Sequence, residues 1–102
     1  MLEVKIVRLE AIPKPGSDAA SEYGGAMINV WLVLPPGEDP ALRASQEVDR
    51  SGWHVVEVEA ISHVERHQIE DESDLALFDQ CLVDEIVMFF HVWPLSHGGA
   101  PH

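Results

Sequence analysis

His91 sits in the run Met88-Phe89-Phe90-His91-Val92-Trp93, a lone imidazole among apolar side chains. A ring buried there needs a hydrogen-bond partner. A carboxylate partner in a covered apolar pocket would make it a general base. Glu57 and Glu59, which share one side of another apolar segment, are the carboxylates for that role, with Asn29 as a neutral alternative. The plainer account is a structural histidine satisfied where two copies of the chain meet. His63 and His67 are four residues apart, a metal-ligand spacing on a helix, but His63-Val64-Glu65-Arg66-His67 carries its glutamate one place late for the zinc motif H-E-x-x-H. On a strand the two rings would stand about 13 Å apart, too far to share an ion. Exposed histidines are therefore expected, with no metal assigned.

The acidic group Glu70, Asp71, Glu72 and Asp74 lacks the spacing and turn glycine of a calcium loop and reads as charge gathered at a helix start. Cys81 is the single cysteine, so no internal disulfide is possible, and its neighbours Leu77, Phe78 and Leu82 mark it as a small buried hydrophobe. No phosphate loop, nucleophile elbow or paired catalytic motif is present. These residues favour a binding or accessory protein, with no cofactor, over the alternative of an enzyme of the dimeric α+β barrel type with His91 as general base in a sheet-face pocket.

The elements that must position these residues follow from periodicity. Residues 2–10 alternate as a strand, and the segment 12–25, with two prolines and three glycines, reads as a long loop. Residues 26–35 are the strongest β segment, stopped by Pro35-Pro36. Asp39 as N-cap and Pro40 at the first helical position open a helix to about Ser51, and Gly52 ends it. Residues 52–61 form the next strand. Residues 62–69 read either as its bent continuation or as a separate edge strand. A helix follows to about Asp84, with Leu75, Phe78 and Leu82 inward, and residues 85–94 are the last strand. The expectation is one α+β domain over 1–94 with a flexible tail at 95–102. Its fold class is a ferredoxin-like, split βαβ, two-layer sandwich: a mixed sheet of four to five strands, two helices on one face, and an extra N-terminal strand.

Simple alternation along those strands then sorts the side chains. Ile28, Val30, Leu32 and Leu34 go under the helices with Ile86, Met88, Phe90 and Val92. The opposite face collects Asn29, Trp31, Val33, Trp53, Val55, Glu57, Glu59, Val87, Phe89, His91 and Trp93, with Lys5 and Val7 from the first strand. An exposed aromatic patch of that size exceeds what monomers usually tolerate. A homodimer packed face on face is the first expectation for it and a pocket for a small molecule the second.

The charge limits the partners. The chain of 102 residues carries 18 acidic and 6 basic side chains, a formal net charge of −12, concentrated after residue 35. Nucleic acid would be repelled. A basic protein partner, in the manner of an immunity protein or antitoxin, docking on residues 65–85, remains open. No apolar run approaches the roughly 18 residues needed to cross a bilayer and no leader is evident, so no membrane association and a cytoplasmic location are expected.

Overall fold

The computed structural model describes residues 2–95, and the tail expected over 95–102 lies, beyond Leu95, outside the described residues. Four strands, β1 (Glu3–Pro13), β2 (Tyr23–Leu34), β3 (Trp53–Val64) and β4 (Ile86–Pro94), form one sheet in the order β3-β1-β2-β4. Two helices, α1 (Pro40–Arg50) and α2 (Glu72–Asp84), connect β2 to β3 and β3 to β4. Every neighbouring pair is antiparallel. β2 and β3, the strands joined through α1, run parallel to each other, but β1 fills the gap between them. The sheet is therefore antiparallel rather than mixed, and the N-terminal strand lies at its centre rather than being added to it. In content and pairing the chain is α+β and compatible with a ferredoxin-like arrangement.

The local signals for the first helix act as their chemistry dictates. The Asp39 carboxylate accepts from the amides of Ala41 at 3.0 Å and Leu42 at 3.3 Å, Pro40 occupies the first turn, and Gly52 at φ 92° turns the chain back. Asp71 caps α2 through Ser73 N–H at 3.0 Å. One boundary differs from the sequence expectation, and one of two open readings is decided. The loop expected over 12–25 shrinks, because β1 continues to Pro13 and β2 begins at Tyr23, with a 3-10 turn at Ala19–Ser21 between them. Of the two readings of residues 62–69, continuation holds for 62–64 and the separate edge strand does not form: β3 runs on to Val64, and a 3-10 turn at Arg66–Gln68 leads toward α2.

The helices lie on opposite faces, which replaces the expected two-layer sandwich by helix, sheet and helix. Ala44 and Val48 of α1 join Val7, Leu9, Ala11, Ile28, Val30 and Trp53 in the larger core. Phe78 and Cys81 of α2 join Val4 and Trp31 in a second core, with Ile6, Val33 and Val87 packed against it. The physical reason is the path of the chain. The crossover from β3 to β4 must pass from one edge of the sheet to the other, and it takes the face α1 leaves free. Trp31 is 4% exposed as a result, so the part of the expected patch formed by Trp31, Val33 and Val87 is covered by the chain's own second helix. Leu82, expected to point inward, is 54% exposed.

β3 also breaks the simple alternation. Its pairing with β1 shifts register twice, leaving Val56 and Glu59 as extra residues opposite β1. Each bulge moves the following side chains to the other face. Trp53 and Val55 consequently belong to the α1 face, while Glu57 and Glu59 stay on the α2 face. Trp53 instead packs with Phe90 at a ring separation of 5.4 Å and with Tyr23 at 6.5 Å. It reaches across the small side chains of the registered pair Ala11 and Ala26. Lys5 and Val7 likewise lie on the α1 side, since Val4 and Ile6 face α2.

Two backbone positions expose this packing to test. At Gly25 an added Cβ would stand 2.5 Å from Trp93 Cζ2, so Gly25→Ala is expected to lower stability by about 1–3 kcal/mol in urea unfolding, with partial recovery when combined with Trp93→Leu. Glu85, at φ 71°, makes the abrupt turn from α2 into β4 and donates its N–H to Cys81 O at 2.8 Å. Glu85→Gly should raise stability by roughly 0.5–1 kcal/mol, the relief of a left-handed side chain less the extra chain entropy of glycine.

Candidate functional site

α2 covers only one end of its face, over Val4, Ile6, Trp31 and Val33. The other end is open, and the strand registers define what stands there. Ala60, Arg8, Asn29 and Phe89 form one row across the sheet, and Glu57, Glu10, Met27 and His91 form the next. Trp93 closes the β4 end of the following row by lying over Gly24 and Gly25, where only glycine leaves room for the indole.

His91 is exposed and meets Phe89 edge-on at a ring separation of 4.8 Å. It lies on β4, whereas Glu57 and Glu59 lie on β3, at the opposite edge. Three strand spacings, about 14 Å, separate them. The pairing of His91 with either glutamate is thus ruled out by the strand order, and its exposure leaves water to satisfy the ring. Asn29 lies on the adjacent strand, but among the described residues it makes no hydrogen bond to His91.

The glutamates form a different group. Ligand oxygens of Glu10, Glu57 and Glu59 lie within 4.8 Å of one another, and among the described residues this is the one set of three whose ligand atoms converge. Hard divalent cations favour such oxygens, yet Glu57 and Glu59 are open to water, and Arg8 Nε stands 3.9 Å from Glu59 Oε1. Solvated carboxylates with a local counter-ion account for it. Glu10 was invisible as a member because its position beside β3 depends on register, not on sequence spacing.

His63 and His67 are closer than strand geometry implies, because the chain leaves the strand between them. Both flank Glu65, His63 Nε2 at 3.4 Å from Oε1 and His67 Nδ1 at 3.5 Å from Oε2. The two rings approach different oxygens of one carboxylate, and the three residues do not form a converging ligand set. Nearby, the Arg66 guanidinium pairs with Asp79 at 3.2 Å, which holds its pKa above the ordinary value.

Between the first turn of α2 and the sheet lies a cleft of about 380 Å³. Asn29, Trp31, Phe89 and His91 come from the sheet, and Asp71, Ser73 and Asp74 from the helix. The sheet residues follow from alternation. The helix residues do not, because nothing in the sequence says which face α2 takes. Compared with known proteins, the chain matches no family model, no curated protein and no solved structure.

Cys81 stands apart from any chemistry. Its thiol is fully buried against the sheet, lies 3.8 Å from the carbonyl oxygen of Glu85, and is pushed up to about 11 by burial. Since the folded pKa exceeds the ordinary 9.0, the buried neutral thiol favours folding fully below pH 9, and that contribution fades as pH rises toward 11. Urea unfolding of the wild type should therefore show an alkaline loss of stability over this interval that is smaller in Cys81→Ala. Alkylation of the native thiol at neutral pH should be slow and should accelerate on unfolding.

Proposed function

We propose that this chain is a binding domain that works as a two-fold homodimer joined along β4. The observation that carries this reading is the contrast between the two edges of the sheet. β3, at one edge, has two bulges and the exposed acids Glu57 and Glu59, the usual devices that keep an edge from pairing. β4, at the other, runs from Ile86 to Pro94 without one charged side chain, and Phe89 and Val92 are 44% and 42% exposed on its two faces.

Antiparallel pairing of β4 with β4 of a second copy would extend the sheet to eight strands through an isologous contact. Electrostatics favours this edge over any other. With −12 on each copy, association is opposed wherever carboxylates meet. Joining at β4 places the Glu10, Glu57 and Glu59 groups toward the far ends of the assembly, beyond the Debye length of about 8 Å at physiological salt. The contact is thus an edge rather than the broad face suggested by alternation, since α2 occupies half of that face.

A second reading has its own observation. The converging carboxylates of β1 and β3, and the acids of α2 from Glu72 to Asp84, offer a basic protein two sets of counter-charges. Such an interface would weaken steeply with salt. An enzymatic role built on His91 lacks Glu57 or Glu59 as its orienting carboxylate.

Light scattering on the eluting chain at micromolar concentration should give twice the 11.3 kDa chain mass, with the dimer strengthened by added salt. Val92→Lys should produce a folded monomer, because the position is exposed and a lysine on an edge opposes pairing. A monomeric wild type, or a dimer indifferent to Val92→Lys and to a lysine at Phe89, would overturn the β4 reading.

A further inference from the structure

The cleft under the α2 N-terminus is lined differently from the rest of the surface. Its sheet side presents the 44% exposed ring of Phe89 beside a small part of the otherwise buried Trp31, its walls include Ile6 and Leu77, and its rim carries the carboxylates of Asp71 and Asp74. No lysine or arginine lines it. We propose that this cleft binds a small organic cation, an ammonium or guanidinium group carried on an apolar stem. The inference does not rest on pairing through β4.

Two physical arguments select a cation. Aromatic faces attract positive charge through their quadrupole, and the attraction strengthens where water is partly excluded. The carboxylates of Asp71 and Asp74 supply full negative charges at the same mouth, while the Asn29 carbonyl and a His91 ring nitrogen can accept from an N–H. The opposing influence is the helix start, which by itself favours an anion with about half an elementary charge. Here that preference is already met from within the chain. Asp71 accepts the Ser73 N–H at 3.0 Å, and Glu72 and Asp74 stand in the first turn. The local charge is therefore negative, and the net charge of −12 adds a field that draws cations and repels anions.

The nearest positive groups do not fill the site themselves. Arg8, whose strand neighbour is Asn29, turns to Glu59 at 3.9 Å, and Arg66 is held by Asp79 at 3.2 Å. The volume of about 380 Å³ lies in the range of small-molecule clefts and suits an aryl or short alkyl stem. The charged head would sit between the Asp74 carboxylate and the Phe89 ring, with the apolar stem against Ile6 and Leu77.

Three probes sharing one stem make the test: phenethylammonium, neutral 2-phenylethanol and anionic 3-phenylpropanoate, titrated into the full chain and followed by amide and indole NMR signals. Phenethylammonium should shift the Trp31 indole and the Ser73 and Phe89 amides saturably, leaving Trp53 on the other face unmoved. Its affinity should exceed that of 2-phenylethanol about tenfold, and 3-phenylpropanoate should not bind. Asp74→Asn, at an exposed position, should retain the spectrum of the fold and weaken phenethylammonium at least fivefold. Binding of the anion as tightly as the cation would overturn the proposal. So would the absence of saturable shifts with all three probes, shifts centred on Glu10, Glu57 and Glu59, or an unaltered affinity in Asp74→Asn.

Discussion

Both cores of this protein hang from β1. It is the one strand that pairs with the two strands joined through α1, and its alternate side chains feed opposite layers. Val7, Leu9 and Ala11 lie under α1, while Val4 and Ile6 lie under α2. With β1 between them, β2 and β3 can run parallel without touching, and every ladder becomes antiparallel. The first strand of the chain must therefore join both β2 and β3 before either core is complete.

Each helix buries two side chains, Ala44 and Val48 in α1 and Phe78 and Cys81 in α2, and each leaves aliphatics in water, Leu42 in α1 and Leu82 and Val83 in α2. Because α2 packs over only one end of its face, Asn29, Phe89 and His91 line an open cleft beside its first turn. That turn is acidic because Asp71, Glu72 and Asp74 complement the helix start. One residue, Asp71, therefore serves the helix as its cap and gives the adjoining cleft its charge.

Charge is distributed unevenly across the sheet as well as along the chain. Glu57, Glu59 and, from β1, Glu10 gather near the β3 edge, while β4 has no charged residue. An edge strand of that kind is exposed to pairing, and an acidic chain can pair only where its carboxylates are distant. The same asymmetry explains why the β3 edge tolerates Val56 and Ile61 half in water: its bulges and acids oppose a second strand.

Much of the local architecture was legible from residue type alone. Asp39, Pro40 and Gly52 bounded α1, Pro35 and Pro94 stopped strands, and the alternation of β2 and β4 correctly placed Asn29, Trp31, Val87, Phe89 and His91 on one face. These features depend on the conformational limits and hydrogen-bonding groups of a few consecutive residues, so they are written locally. Strand order, the two β3 bulges and the face taken by α2 are not, because each arises from competition between distant segments for the same hydrogen bonds and apolar surface. Those long-range choices separate His91 from Glu57 and Glu59 and send Trp53 to the other core. They also bring Asp71 and Asp74 over Phe89.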